Sequence, residues 1–348
     1  MKSITELVTS KAIAAYWQVS KTQRPPYFGE SKFPARKKLG LDLSWIKGAR
    51  KAPVMLNLSA FDAKAVPLNR GSIDKLETEM PFFKNSKNID EKQRQELNML
   101  LGNAAATDAA KIVINDIFND KMTLLEDARM TLEIMRMQAL TTGAISLSNN
   151  GQEFAYDYQV PLANKVTPSV KWDVAATADP IADIEAWCDQ IEQSTGVRPT
   201  EGLINSVTLG YLQKADSIKN AIYVFANGKV TPSKRDVLKY VQAETGVTFY
   251  VINKTYNNIA NQAVKYVADG TVVLMPSTPL GNTWFGTTPE ESDLRSGQDA
   301  QVSIVDTGIA ITTSKQVDPV NVQTKVSMIA LPSFEAADQI IIASVKTA

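Results

Sequence analysis

Histidine is absent from this chain of 348 residues, and cysteine occurs once, as Cys188. Without imidazole there is no Ser-His or Cys-His nucleophile pair, no imidazole general base and no histidine metal ligand. One cysteine excludes an internal disulfide and a cysteine-based metal centre. Cys188 follows Trp187 on a predicted amphipathic helix, where we expect a small buried side chain. The sequence therefore predicts no catalytic residue, no metal and no cofactor, and argues against most classes of enzyme.

An excess of charge is also missing, because Lys+Arg and Asp+Glu both number 37. The chain thus lacks the global basic surplus that holds nucleic acid by counterion release. It has no run of about 18 apolar residues, which a membrane-spanning helix would need. Its N-terminus does not show a charged stretch followed by an apolar one, as a signal sequence would. These absences predict a folded protein that is made and kept in a reducing cytoplasm.

What the sequence does contain is one long helical pattern from Thr107 to Thr142, without proline or glycine. Apolar residues recur at steps of three and four and define one face: Ile114, Phe118, Met122, Leu125, Ala128, Leu132, Met135 and Ala139. A second stripe at the same spacing carries opposite charges: Glu126, Arg129, Glu133 and Arg136. Gly143 is a natural C-terminal stop. At 1.5 Å per residue the helix would be roughly 50 Å long, which suggests a scaffolding element.

The N-terminal segment is predicted to be a short amphipathic helix over residues 1–22, followed by an irregular stretch from Gln23 to Lys38 with three prolines. This stretch cannot form a core alone. Its aromatic residues Tyr27, Phe28 and Phe33 can be buried only against something else. Two interpretations stay open, namely a strap across its own domain or an arm that reaches a neighbouring subunit.

A β-ribbon is predicted next, with strands at Lys51–Phe61 and Ile73–Phe82 joined by a polar turn. Two strands of this length are marginally stable in water on their own. The ribbon would have to lie on another surface, which favours an intersubunit contact, although an ordinary surface hairpin is an alternative.

The remainder alternates between β and α/β patterns and predicts an α+β fold. A helix over residues 90–101 leads into the long helix, and a hairpin follows it around Asn149–Asn150–Gly151. Lys171–Asp173 suggests an edge strand. From Asp179 to about Gly286 an α/β lobe is predicted, with helices capped by Asp and Ser and ended by Gly. The last strands are predicted at 301–314, 326–332 and 338–345, in a sheet built by both ends of the chain beneath the long helix.

Four stretches resemble the lambda-type major capsid protein (capsid protein E) family of tailed phages. DPIADIEAW (Asp179–Trp187) resembles a helix start of that family, and EIMRMQALTTGAISLS (Glu133–Ser148) resembles the end of its spine helix. LGNTWFGTTPEES (Leu280–Ser292) is similar to its Gly-rich loop, and LPSFEAADQIIIASV (Leu331–Val345) to its terminal strand. Together they bracket residues from about 115 to 345, in the order and spacing of the family.

The resemblance implies a Hong Kong 97-type fold, with an N-terminal arm over residues 1–47 and an extended loop over 48–83. The peripheral domain would combine 84–178 with 297–348, and the axial domain would be 179–296. The implied function is a major head protein that self-assembles into hexamers and pentamers of an icosahedral shell around double-stranded DNA, in the virion. The implied partners are further copies, a portal protein, packaged DNA without sequence readout and, in shells that carry one, a decoration protein. Because the arm starts within a few residues of Met1, we expect any scaffolding protein to be a separate chain.

Seven residues are expected to contact a neighbouring subunit: Tyr27, Phe28, Phe33, Phe61, Lys64, Arg70 and Trp284. Some members of the wider fold form a covalent crosslink through a loop lysine, which must be desolvated beside a carboxylate. Lys64 and Lys75 lie on or near this loop, but we expect them to be solvated gatekeepers of an edge ribbon.

The remaining polar clusters have ordinary structural interpretations. Carboxylates at 179, 183, 185 and 189 are expected on a capped, solvated helix, and those at 290, 291 and 293 on an exposed loop, in preference to a metal site or glycosidase pair. The run Arg36–Lys37–Lys38 is too short to hold duplex DNA, and should be solvated or paired with a neighbour's acids. Two other functions stay open: an encapsulin-like compartment and a cytosolic enzyme that uses carboxylates and lysine.

Overall fold

The computed structural model describes residues 9–21, 25–47, 74–89, 107–149, 151–223, 230–258, 260–294, 300–316 and 321–347, with isolated positions 91, 92, 95 and 99. The helices are α1 (Ser10–Lys21), α2 (Phe28–Lys32), α3 (Thr107–Thr142), α4 (Pro180–Thr195), α5 (Ser206–Lys214), α6 (Asp216–Ile222) and α7 (Lys234–Thr245). The first strands are β1 (Ala35–Lys37), β2 (Asp42–Lys47), β3 (Asp74–Glu79), β4 (Phe82–Ile89), β5 (Ala144–Asn149), β6 (Gln152–Asp157), β7 (Lys165–Val166), β8 (Glu201–Ile204) and β9 (Thr248–Val251). The later strands are β10 (Thr255–Asn257), β11 (Ala263–Lys265), β12 (Thr271–Met275), β13 (Thr283–Phe285), β14 (Ala300–Val305), β15 (Ile309–Gln316), β16 (Asn321–Pro332) and β17 (Ile341–Ser344).

Contacts divide the chain into two compact units. The first comprises Met1–Leu43, Glu77–Met135 and Asn282–Ser333, and the second Ser44–Leu76, Arg136–Gly281 and Phe334–Ala348. The domain boundaries given above stay a prediction.

The first unit contains a six-stranded sheet in the order β1-β13-β16-β15-β14, with β4 also paired to β16. Strand β16 is its longest member, with 12 residues. Strands β1 and β4 come from the N-terminal part of the chain and the other four from its C-terminal part. This confirms the prediction of a sheet built by both ends of the chain. The strand predicted over 301–314 was wrong in one respect, because it is a hairpin of β14 and β15. Asp306 adopts a left-handed conformation at the turn, with φ 49°.

Helix α3 has the predicted bounds, with 36 residues, and Gly143 ends it in a left-handed conformation. The described side chains of the predicted apolar face are buried from Met122 to Ala139. Arg129, Glu133 and Arg136 of the charged stripe are buried too. The helix is therefore enclosed on nearly every side over its described side chains, instead of exposing a polar face.

The second unit contains a five-stranded sheet in the order β7-β17-β12-β8-β9. Asp179 caps α4 by accepting a hydrogen bond from Ala182 N at 3.3 Å, and Ser233 caps α7. Gly196 and Gly246 end these helices with positive φ, as predicted. The hairpin β5–β6 also matches its prediction, with Asn149 opposite Gln152.

Two strand predictions in this unit were wrong. Ile341–Ser344 pairs with β12 and β7, and does not join the strands of the first unit. Lys171–Asp173 is not a strand: Trp172 N donates to Val345 O at 2.8 Å, while the fully buried Trp172 ring stacks on Trp187 with centroids 5.9 Å apart. Core burial of one aromatic residue, rather than a ladder of backbone bonds, fixes this segment.

The N-terminal predictions fall partly outside the described residues. Helix α1 covers the described part of the predicted helix 1–22, whereas most of the predicted helix 90–101 and the strand Lys51–Phe61 lie outside. Strand β3 pairs with β2. The strand predicted as Ile73–Phe82 is interrupted at Met80–Pro81, and the chain continues as β4. In the described part of the chain, no helix has the length and apolar character that a membrane span requires.

We predict that Gly143→Ala destabilises the second unit more than Gly246→Ala. Both glycines end helices with positive φ, which costs an L-residue about 1–2 kcal/mol. At Gly143 the new Cβ would also lie 2.7 Å from Val160 Cγ2, whereas nothing lies within 4 Å at Gly246. Urea unfolding of the unassembled protein should show the larger loss for Gly143→Ala. Equal losses would mean that Val160 moves aside freely.

Candidate functional site

The described part of the N-terminal arm is held on its own chain, against the long helix and the sheet. Ile13 and Trp17 of α1 are fully buried. Trp17 Nε1 donates to Asp306 Oδ2 at 3.4 Å, and the hydroxyls of Ser10 and Ser303 are 3.0 Å apart. The amphipathic pattern of α1 thus places its apolar face on β14 and β15.

Arg129 of α3 connects three points of the arm. Its Nη2 donates to Glu30 Oε1 at 2.7 Å. Its guanidinium also lies 5.9 Å from the ring of Trp17 and 5.3 Å from that of Tyr27. The Arg129 side chain is only 8% exposed, so these contacts form where water screens them little.

A second buried charge of the same stripe, Glu133, accepts a hydrogen bond from Gly29 N at 2.9 Å. Burial raises the pKa of the Tyr27 hydroxyl, with Arg129 acting in the opposite direction. The charged stripe recognised in the sequence is therefore where α2 of the arm is attached.

Strand β1 continues the arm along the edge of the sheet, parallel to β13. Thr283 Oγ1 donates to Phe33 O and Thr283 N to Pro34 O, each at 2.9 Å. Arg36 Nε donates to Asn282 Oδ1 at 2.7 Å, and Lys37 Nζ to Glu291 Oε1 at 2.6 Å. Lys37 is exposed, as the solvated interpretation of this basic run expected, and the acid that it pairs with is in its own chain. Pairing with a neighbour's acids stays a prediction.

Glu290 forms a buried ion pair that the sequence did not predict. It was expected on an exposed loop, but its side chain is 6% exposed and bonded to Lys325 Nζ at 2.6 Å. Ser327 Oγ donates to its other oxygen at 2.8 Å. Burial alone would raise the pKa of Glu290, but the hydrogen bonds from Lys325 and Ser327 outweigh burial, and the pKa lies below its ordinary value.

The predicted contact residues have different surroundings. Tyr27, Phe28 and Trp284 are half-buried, so part of each side chain is accessible. Phe33 is fully buried, which favours the strap interpretation for this side chain. Phe61, Lys64 and Arg70 lie outside the described residues, as does the side chain of Lys75. An intersubunit role stays a prediction for these positions.

Three carboxylates of α4 have structural partners. Asp183 accepts a hydrogen bond from Trp172 Nε1 at 2.8 Å, and Arg198 bonds Asp189 and Glu192. Cys188 is fully buried, as expected, and burial raises the pKa of its thiol to about 11. Among the described residues, no group of three or more Cys, Asp or Glu side chains is arranged to hold a metal ion.

Comparison with known proteins identifies what this architecture is. Residues 9–345 match the sequence profile of the phage major capsid protein E family. The chain belongs to this family. No curated protein sequence matches it significantly.

Solved structures show the same fold. The capsid protein of a prophage from E. coli CFT073 is 12% identical with a TM-score of 0.61, over 97% of this chain and 99% of that one. A phage-related protein from Bordetella bronchiseptica RB50 is 10% identical with a TM-score of 0.52, over 98% and 99% of the two chains. The capsid asymmetric unit of cyanophage A-1(L) gives 10% identity and a TM-score of 0.52, over 92% of each chain. The fold is the Hong Kong 97-type capsid fold, and this is a tailed-phage capsid protein whose place is the virion shell.

We predict that Arg129→Met releases the arm. The variant loses the bond to Glu30 and both ring contacts, which together should cost about 1–3 kcal/mol of docking free energy. Lys32 is 2% exposed in the docked arm, so trypsin can cut there only after undocking. Cleavage at Lys32 should rise about tenfold, which corresponds to about 1.4 kcal/mol.

The matched control is Arg198→Met, which removes a guanidinium whose carboxylate partners, Asp189 and Glu192, lie outside the arm. It should leave cleavage at Lys32 unchanged. An unchanged rate in Arg129→Met would show that the other arm contacts suffice.

We also predict an acid-dependent contribution from Glu290. Because its folded pKa is lowered, its ion pair stabilises the protein above the unfolded pKa of about 4.3, and this stabilisation is lost as pH falls through the folded pKa. Unfolding free energies measured from about pH 7 to pH 3 should fall less steeply for Glu290→Gln than for the native protein. Glu153→Gln, at an exposed position, should keep the native slope. Parallel slopes for the native protein and Glu290→Gln would contradict the prediction.

Proposed function

We propose that this protein self-assembles into the hexamers and pentamers of an icosahedral shell that encloses the double-stranded DNA genome of a tailed phage. The observation that carries the proposal is the family match over residues 9–345. The described structure supports a structural role, because most of the carboxylates in the clusters at residues 179–192 and 290–293 are engaged in a helix cap, hydrogen bonds or ion pairs: Asp179, Asp183, Asp189, Glu192, Glu290 and Glu291.

Within this proposal, the lobe over 179–296 is the axial domain, and the rest of the chain after residue 84 is the peripheral domain. Strands β2 and β3 form the base of the extended loop, which lies over an adjacent subunit. The half-exposed rings of Tyr27, Phe28 and Trp284 are accessible to such a neighbour. Each contact is modest, and stability comes from their number and from closure of the shell.

The other proposed partners are a portal protein, a separate scaffolding protein, a decoration protein in shells that carry one, and packaged DNA bound without sequence readout. Net charge of zero supports weak contact with DNA, because a strongly basic inner surface would hold the genome tightly. Assembly is proposed to take place in the cytoplasm of the host bacterium.

The test is negative-stain electron microscopy of the overexpressed, purified protein. We expect closed shells of uniform size. A discrete monomer or dimer would contradict the proposal and favour a cytosolic enzyme. The contents of particles from host cells separate the remaining alternatives: nucleic acid supports a phage shell, and enzyme cargo would support an encapsulin-like compartment.

Denaturing electrophoresis of the same particles tests for a covalent crosslink. A single monomer band is expected, because solvated lysines do not form an isopeptide bond. A ladder of higher bands would instead require Lys64, Lys75 or another lysine to be desolvated in the shell.

A further inference from the structure

Helix α7 carries charges of opposite sign on two different flanks. Arg235 and Lys239 are four residues apart and both exposed, so they share one flank of the helix. Tyr240 and Glu244 share a second flank at the same spacing. At about 100° per residue, the two flanks lie roughly 140° apart around the helix axis. We call Arg235 and Lys239 the basic flank.

The second flank of α7 faces carboxylates of α4. Burial raises the pKa of the Tyr240 hydroxyl, and the negative charges of Glu244, Asp179 and Glu185 raise it further. The charges that shift this pKa are all acidic, and Asp179 and Glu185 belong to the cap and body of α4, which packs on α7. All three carboxylates are exposed. We call Asp179, Glu185 and Glu244 the acidic surface.

The chain does not use these two surfaces to neutralise each other. In the described part of the chain, Arg235 and Lys239 form no salt bridge and no side-chain hydrogen bond, and the same is true of Glu185 and Glu244. The placement of the two surfaces on different flanks of α7 explains why they do not meet. Both are therefore available to another molecule.

The elements around α7 do not supply a free acid to the basic flank. Helices α5 and α6 pack on α7, and their one carboxylate, Asp216, is bonded to Lys219 Nζ at 2.9 Å. Strand β9, which also contacts α7, has no charged residue. Within α7, Asp236 accepts a hydrogen bond from Ser233 Oγ at 2.6 Å. Lys234, the first residue of the helix, adds a third exposed cation.

Complementary charge on one molecule indicates a second copy of this chain as the partner. The basic flank of one copy fits the acidic surface of the next, and the acidic surface of the first copy stays free for a third. A head-to-tail contact of this kind, between different surfaces, generates a ring when its rotation closes. A nucleic acid or an unrelated protein would need only one of the two surfaces.

We propose that the basic flank of α7 binds the acidic surface of a second copy, and that formation of the rings in the shell depends on this contact. The inference rests on the proposed function, because it identifies one interface of the hexamers and pentamers. Single exposed ion pairs are weak, so the contact acts through its repetition around the ring and together with the other contacts of the shell.

The test is an exchange of charge between the two surfaces. Arg235→Glu/Lys239→Glu should reduce the yield of shells at least about tenfold in sedimentation and electron microscopy, because acid would then face acid. Glu185→Lys/Glu244→Lys should reduce it similarly, because base would face base. The four changes together restore opposite charges across the contact, and should return the yield to within about threefold of the native one.

The matched control combines the reversal of the basic flank with Glu79→Lys/Glu153→Lys, at two exposed carboxylates outside the acidic surface. It restores the same net charge at other places, so it should not restore shells. Each variant is compared with the native protein by circular dichroism. Arg235→Gln/Lys239→Gln covers the case in which the reversal fails to fold, and it should also reduce the yield.

Two results would overturn the inference and leave the proposed function intact. One is a native yield of shells from a folded variant of the basic flank. The other is a fourfold variant that assembles no better than the double variants, which would mean that the basic flank meets another partner, such as nucleic acid. Failure of the native protein to form shells would instead contradict the proposed function itself.

Discussion

Enclosure of charged side chains on the long helix α3 is the constraint on which the first unit depends. Arg129 and Glu133 are almost fully buried, and a buried charge without a partner is strongly destabilising. The arm supplies partners through Glu30 and Gly29. The buried charges of α3 therefore need the arm as their partner. The arm in turn has a defined position, because Glu30 and Gly29 must lie beside Arg129 and Glu133.

Local features were predictable because neighbours in sequence determine them. The bounds of α3, the cap at Asp179 and the stop at Gly143 follow from helix periodicity, side-chain capping and left-handed glycine. The pairing of β17 with β12 and β7 was not predictable. The sequence of a buried apolar strand does not show which sheet the strand joins. Strand β4 beyond Phe82 was missed for a related reason: most of its residues are polar, and its place is set by pairing with β16.

In the candidate site, too, local features were predictable from the sequence and contacts between distant residues were not. The charged stripe on α3 was visible as a spacing, but its partner in the arm could not be inferred, since Glu30 and Arg129 are 99 residues apart. The burial of Glu290 and its bond to Lys325 left no signal in the sequence. Most carboxylates that were candidates for chemistry in the sequence form a helix cap, ion pairs or hydrogen bonds in the structure. That use agrees with a family of shell proteins.

The pairing of β1 with β13 has a consequence for how the protein is made. Lys37 and Phe285 are register partners, so the arm's edge position does not exist until most of the polypeptide has left the ribosome. At about 5–20 residues per second, the wait is on the order of 10–50 s. A chain that ends before residue 283 can still form the contacts of Glu30 and Gly29 with α3, but its strand β1 has no pairing strand, which makes completion of translation a condition for closing this edge of the sheet. The fold itself thus distinguishes finished from unfinished chains before either can enter a growing shell.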